Sequence, residues 1–296
     1  MSLVINHNMM AANATRHLNN HYSRLATSTQ RLSSGLRINT AADDAAGLAI
    51  RELMRADISA LNQGVRNAND AISLIQTADG ALQIVDEKLI RMQELAEQAA
   101  TGTYFSDQRM MIESEYQAMA SEITRIANST DFNGIYLLNG NLSMDNHNGT
   151  GLVSTGKLKI HFGSGNDCSE DYYYVNMGIA TASALGLGNQ SDPATAGYCV
   201  STQSMAQASL EAINEAIISK DKIRAHLGAL QNRLENTVSN LQIQAENITA
   251  AESQISDVDV ATEMTQFVRA QVLSQAGVAM LAQANSLPQM AMQLIG

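Results

Sequence analysis

The chain has 296 residues, a net charge of −11 and only 4% aromatic residues. An acidic chain without a basic stripe repels phosphate backbones, which argues against nucleic acid as a partner. No stretch approaches the roughly 20 apolar residues of a membrane span, and the first fifteen residues lack the pattern of a secretory signal. Only two prolines interrupt the sequence, so long helices are the leading expectation.

The first 42 residues contain four arginines and no Asp or Glu, and their pattern predicts a helix that seeks a partner. A 4-3-4-3-4 spacing keeps apolar or semi-apolar side chains on one face of this helix. The members of this stripe are Leu18, Tyr22, Leu25, Thr29, Leu32 and Leu36. The tract from Gly35 to Asp44 then breaks the helix.

A second helix is predicted from about residue 44 to Gly102. Thr40 followed by Asp43 matches a helix N-cap with an acidic third position, and apolar side chains recur at helical spacing from Leu61 to Ala96. A third helix follows from about Asp107 to Ser129. A helix over 44–100 would be about 85 Å long, which predicts a rod or a bundle with projecting arms rather than a globule.

The middle of the chain differs in kind from both ends. Between Asp131 and Tyr198 it is rich in Gly and Asn, and the runs 157–162 and 172–175 favour short strands. Helical spacing returns after Ser201, and the last segment carries a stripe that includes Phe267, Val278 and Leu281. The sequence therefore predicts a mainly α fold, a long antiparallel helical bundle or rod with coiled-coil-like terminal helices and a small β-hairpin region.

Motifs at both ends of the chain resemble those of bacterial flagellins. The amino-terminal motifs are RLSSGLRIN at 31–39, AADDAAGL at 41–48, RNANDAIS at 66–73 and QTADGAL at 76–82. The carboxy-terminal motifs are LQNRL at 230–234, ENITAAES at 246–253, DVD at 257–259, LSQA at 273–276 and MLAQAN at 280–285. Because several long motifs occur in the right order, the resemblance is specific.

The resemblance implies a subunit that polymerises into the bacterial flagellar filament for swimming motility. Residues 1–43 and 256–296 would form the inner filament core, 44–165 and 200–255 a long-helix bundle with a β-hairpin, and 166–199 a short variable surface excursion. Self-assembly would use Leu18, Leu25, Leu32, Leu36, Phe267, Val278 and Leu281. Export would use the flagellar type III apparatus, which gives a secreted, extracellular protein with an export chaperone, a cap protein and hook-junction proteins as partners.

The resemblance also implies recognition of the monomer by a host Toll-like innate immune receptor. The matching segment is LIRMQELA at 89–96, in which Arg91 and Leu95 lie four residues apart, with Glu115 contributed by the next helix. Considered without the resemblance, Leu95 would pack internally and Arg91 would be a solvated surface charge. On the basis of the resemblance, we expect instead that Arg91, Leu95 and Glu115 bind the receptor.

Two other functions remain open at this stage. A hook–filament junction protein shares the terminal architecture, and a helical signalling module would have helices throughout with no β-rich middle. The chain contains no zinc-protease, nucleotide-binding or hydrolase motif, so we predict no catalytic site, no cofactor and no metal site. Cys168 and Cys199 could form one disulfide bridge outside the cell.

Overall fold

Five helices and two small hairpins are found in the parts of the chain that the computed structural model describes, residues 8–143, 156–167, 170–187 and 197–295. The helices are α1 (Met9–Ser34), α2 (Ala45–Ala100), α3 (Ser106–Ser129), α4 (Gln203–Ser256) and α5 (Val260–Ile295). The strands are β1 (Asp131–Phe132), β2 (Ile135–Tyr136), β3 (Leu158–His161) and β4 (Tyr172–Val175). The predicted mainly α fold with a small β region is confirmed.

The chain divides into two compact units. The terminal unit comprises the chain up to Ile58 and from Glu246 onward, and the central unit comprises Ser59–Ala245. These boundaries fall inside α2 and α4, whereas the boundaries expected from the sequence, after residues 43 and 255, fall close to the breaks between helices. The two longest helices therefore contribute residues to both units.

Local hydrogen bonds fix the break between α1 and α2. Gly35 adopts φ 74° and its N–H donates to Arg31 O over 2.8 Å, which ends α1. The cap of α2 is Asp44, whose Oδ1 accepts from Gly47 N over 3.0 Å. The predicted N-cap at Thr40 is wrong, because the Asp43 carboxylate accepts from the backbone N–H groups of Thr40 and Asn39 and closes the preceding turn. The bonds from Thr40 and Asn39 lower the pKa of Asp43.

Two antiparallel hairpins lie in the central unit. β3 pairs with β4, with Leu158 opposite Val175, so the predicted strand runs at 157–162 and 172–175 are confirmed. β1 pairs with β2 through Asn133 and Gly134, which have φ 52° and 80°; positive φ at both positions is what a type I′ turn requires. The range expected to be a surface excursion, 166–199, contains β4, whose Val175 is buried. Part of that range therefore belongs to the fold of the central unit.

The core of the central unit is formed by α2, α3 and α4 together with the β region. The apolar stripe predicted on α2 is buried over most of its length, as at Leu82 and Leu89, and Ile123 and Leu227 are the counterparts on α3 and α4. Gly64 of α2 lies against the backbone at Phe162, just after β3, where a Cβ would overlap the Phe162 carbonyl oxygen. The close packing of the β region on α2 therefore depends on a residue without a side chain.

We predict opposite effects on stability for two glycine substitutions in α2. Gly64→Ala should lower the free energy of unfolding by about 1–3 kcal/mol, because the steric overlap outweighs the better helix propensity of alanine. Gly80→Ala, whose Cβ would meet no neighbouring atom, should raise it by up to about 1 kcal/mol. Urea unfolding followed by circular dichroism measures both, and stabilisation by Gly64→Ala would contradict the packing described above.

Candidate functional site

The first and last helices, α1 and α5, pack against each other in the terminal unit. Asn8 Nδ2 donates to Ala284 O over 2.8 Å at one end of the pair, and Arg31 Nη1 lies 3.8 Å from Glu263 Oε2 at the other. Between these points Leu18 approaches Gly277 so closely that a Cβ there would crowd it. The two helices are therefore antiparallel.

The seam between α1 and α5 is made largely of small and polar side chains. Its members recur at alternating steps of three and four, the spacing of a coiled coil. On α1 they are Leu18, His21, Leu25, Ser28 and Leu32, and on α5 they are Glu263, Phe267, Ala270, Ser274, Gly277, Leu281 and Ala284. Of the residues expected in self-assembly, five thus lie in a seam within one chain: Leu18, Leu25, Leu32, Phe267 and Leu281.

The seam buries only part of the stripe predicted for α1. Tyr22 and Thr29 are exposed, and the half-buried His21 and buried Ser28 take their places. Leu18, Leu25 and Leu32 fit both spacings. Whether Tyr22 and Thr29 or His21 and Ser28 are buried with them depends on the side from which α5 approaches. The sequence of α1 alone does not contain that information.

Large apolar side chains of α5 face away from the seam. Val278, one of the residues expected in self-assembly, is 48% exposed. Half or more of the side chain is exposed at Val260, Val272 and Met280, and more than a third at Met264, Val268 and Leu273. Such a concentration of exposed apolar area on one helix is typical of a protein interaction surface. Leu273 lies at the edge of the seam, since it lines a cleft between α1 and α5. We call the other six residues the outer face of α5: Val260, Met264, Val268, Val272, Val278 and Met280.

The connections on either side of the helix pair are bonded to each other. Arg37 N donates to Ser256 O over 2.6 Å, Val258 N donates to Gly35 O over 3.0 Å, and Leu36 forms an antiparallel bridge with Asp257. Leu36, the remaining residue expected in self-assembly, is half-buried at this junction. The RLSSGLRIN motif thus bonds the connection after α1 to the connection before α5.

The residues expected to bind a receptor lie on α2 and α3. Arg91 Nη2 lies 2.7 Å from Glu115 Oε1, and Arg91 Nη1 lies 2.9 Å from Glu94 Oε2. The hydrogen bonds to Glu115 and Glu94 raise the pKa of Arg91. Both Arg91 and Glu115 have exposed side chains, whereas Leu95 is 1% exposed. The structure therefore brings Arg91 and Glu115 together at the surface and places Leu95 in the core.

A bridge between Cys168 and Cys199 was one possibility that the sequence allowed. Cys199 is buried and free, and its Sγ lies 2.9 Å from Ser201 Oγ. Cys168 lies outside the described residues. The bridge therefore stays a prediction.

Ion pairs join α2 to α4 in the central unit, and sequence reasoning did not identify them. Lys220 occupies a core position of α4 with 2% of its side chain exposed, and its Nζ pairs with Asp86 and with Asp221. Arg224 Nε lies 2.7 Å from Asp79 Oδ1. Burial lowers the pKa of Lys220, but the hydrogen bonds to Asp221 and Asp86 outweigh it, so the net shift is upward.

No group of three His, Cys, Asp or Glu side chains within the described residues is arranged to hold a metal ion. None of the helices, as far as they are described, combines the length and the apolar character needed to cross a bilayer.

Known proteins are similar to this chain over nearly its whole length. Residues 5–143 match the bacterial flagellin N-terminal helical region and residues 210–295 the C-terminal helical region. A flagellin of Halalkalibacterium halodurans is 42% identical over 293 residues, with 99% of this chain and 100% of the relative covered. The flagellar filament 33 kDa core protein of Treponema phagedenis is 41% identical with the same coverage. The crystal structure of Bacillus cereus flagellin is 28% identical, with a TM-score of 0.47 over 63% of this chain and 94% of that one.

The upward pKa shift of Lys220 predicts how stability depends on pH. The folded-state pKa exceeds the unfolded value of about 10.4, so the stabilisation is fully present below that pH and is lost as the pH rises through the folded value. Between about pH 9 and pH 11.5 the wild-type protein should lose more stability than Lys220→Met, which has no group titrating here. The control is Lys222→Met, at an exposed lysine, which should follow the wild type. Parallel pH profiles for the wild type and Lys220→Met would contradict the assignment.

Proposed function

Because the chain belongs to the bacterial flagellin family, we propose that its α1–α5 pair forms within each subunit and that the outer face of α5 binds neighbouring subunits. The chain is a structural subunit of the flagellar filament, as its relatives of the same length are. The two β-hairpins also disfavour the all-helical signalling module that the sequence left open. A filament subunit needs surfaces that bind other copies of the chain.

The distribution of side chains around α5 is the observation that supports this proposal. The small residues of α5 face α1 together with Phe267 and Leu281, whereas the valines and methionines of the outer face are exposed. A helix that leaves several large apolar side chains exposed gains most from the hydrophobic effect when a second surface covers them. Self-association supplies such a surface without any other protein. Of the residues expected in self-assembly, Val278 would contact a neighbour directly, and those in the seam would act by holding α5 in place.

We further propose where the chain functions and which other proteins it binds. The chain is exported unfolded through the flagellar type III apparatus and functions outside the cell. It binds an export chaperone before export, and a cap protein and hook-junction proteins at the growing filament. Membership of a family that builds the flagellar filament supports this part of the proposal.

A second function, recognition of the monomer by a Toll-like receptor, is favoured by the exposed Arg91–Glu115 pair. A guanidinium held by two carboxylates presents a fixed charge pattern, which suits a specific interface. In this proposal Arg91 and Glu115 contact the receptor. Leu95 contributes by packing beneath them, since its side chain is buried.

Polar substitution on the outer face of α5 should weaken filament assembly. Val272 is 57% exposed, and burying a valine contributes about 1.5–3 kcal/mol. Val272→Asn should therefore raise the critical concentration for assembly about tenfold. Sedimentation of polymer at a series of protein concentrations measures this value.

The matched control is Gln271→Asn, at the neighbouring exposed position of the same helix. It exchanges one amide for another and should leave the critical concentration unchanged. Equal critical concentrations for Val272→Asn and the wild type would remove this position of α5 from the subunit contact.

Receptor activation should separate Arg91 from Leu95. Arg91→Ala monomer should lose most of its potency while keeping the stability of the wild type to within about 1 kcal/mol, because the ion pairs it loses are exposed. Leu95→Ala should lower the free energy of unfolding by about 2–5 kcal/mol. Cells that report activation of the receptor, together with urea unfolding, give both quantities. Unchanged potency of Arg91→Ala would end its assignment to the receptor site.

A further inference from the structure

A cleft of about 620 Å³ lies between α1 and α5 in the terminal unit. Guanidinium groups from both helices line it, Arg24 and Arg31 from α1 and Arg269 from α5, and Glu263 is the only carboxylate in its lining. Arg24 and Arg269 form no ion pair with any residue that the structure describes. The cleft thus carries an excess of positive charge with unused hydrogen-bond donors.

The charged groups inside the cleft are incompletely paired. Arg31 lies 3.8 Å from Glu263 and 3.9 Å from Asp43, whereas charge-assisted hydrogen bonds are about 2.7–2.9 Å long. Arg31 Nε is buried and has no hydrogen-bond partner among the described residues, and the same holds for Oε1 of Glu263, a residue only 5% exposed. Buried polar atoms without partners are costly, and Glu263 therefore leaves the charge of Arg31 incompletely compensated.

A second pair of unpartnered atoms lies further along the same seam. His21 Nδ1 and Ser274 Oγ are buried without a hydrogen-bond partner within the described parts of the chain. The antiparallel register, with Leu18 beside Gly277 and Arg31 beside Glu263, puts His21 and Ser274 at one level. His21 also lines the cleft. Unused polar groups therefore occur at both ends of this part of the seam.

Charge identifies the class of group that fits the cleft. α1 has three arginines and no acidic residue, and α5 has one arginine and one glutamate, so the pair carries +3 with neutral histidines. Residues 59–245 have eleven Lys and Arg against twenty Asp and Glu, a net charge of −9. A basic cleft on one copy and an acidic surface on another are electrostatically complementary. A carboxylate also matches the donor geometry of guanidinium groups.

We propose that the cleft between α1 and α5 receives an acidic side chain from a second copy of the chain, bound by Arg24, Arg31 and Arg269. This contact is additional to the one made by the outer face of α5, and it rests on the assembly proposed above. The incoming carboxylate accepts hydrogen bonds from Arg24 and Arg269, and its charge also attracts the guanidinium group of Arg31. It thereby fixes the lateral position of one subunit against the next.

Zero-length cross-linking in assembled filaments tests the contact. Arg24→Lys and Arg269→Lys keep the charge and introduce an amine that a carbodiimide couples to a carboxylate in contact. Each variant, with nitrogen-14, is co-assembled as a minority with an excess of nitrogen-15 wild-type subunits. Mass spectrometry of the cross-linked peptides then separates links between copies, which contain both isotopes, from links within one chain. The control is Arg16→Lys, at an exposed arginine of α1 outside the cleft.

We expect mixed-isotope links from Arg24→Lys and Arg269→Lys to the same Asp or Glu, at about ten times the yield of Arg16→Lys. Links only to Glu263 or Asp43 of the same chain, or equal yields for all three variants, would overturn the proposal. Electron microscopy of the same samples keeps the two proposals distinct. Filaments without these links contradict the cleft contact alone, whereas failure of wild-type subunits to form filaments contradicts assembly itself.

Discussion

The pairing of the first helix with the last is the constraint on which the terminal unit depends. α1 and α5 are separated by more than 200 residues of sequence, so closing this pair has a large entropic cost. Backbone hydrogen bonds join the connection after α1 to the connection before α5, from Arg37 to Ser256 and from Val258 to Gly35. Once these bonds form, they hold the end of α1 next to the start of α5, and this fixes the register in which the two antiparallel helices pair.

The apolar contact in the seam comes from its leucines and from Phe267, and its other members add little to it. Glycine, alanine and serine bury little apolar area, and buried polar atoms such as Ser274 Oγ have no partner in the described structure. The central unit is held differently, by buried leucine, isoleucine and methionine and by the ion pairs of Lys220 and Arg224. Large apolar side chains therefore point inward in the central unit, whereas several of them point outward on α5.

The elements were predictable from the sequence wherever a local signal decided them. Gly35 and Gly102 mark the ends of helices, and the helical spacing on α2 and α4 is dense enough to define their buried faces. The β1–β2 hairpin was missed although Asn133-Gly134 is a strong turn signal. The cap of α2 was placed at Thr40, four residues too early, because Thr40 and Asp43 have the spacing of a capping pair. Only the fold shows that Asp43 closes the preceding turn and that Asp44 caps the helix.

The site was harder to predict because its residues belong to surfaces made by two helices. A stripe on α1 shows that a partner exists, but the choice between Tyr22 and His21 depends on where α5 lies. The same ambiguity affects α5, where the adjacent Gly277 and Val278 point about 100° apart around the helix, one against Leu18 and one toward solvent. Apolar side chains are expected at buried positions. Here the position that faces α1 is taken by Gly277, because a side chain there would prevent the close approach of α5 to α1. The exposed valine is then available to another subunit, so a helix that looks poorly packed in one chain is consistent with one completed by its neighbours.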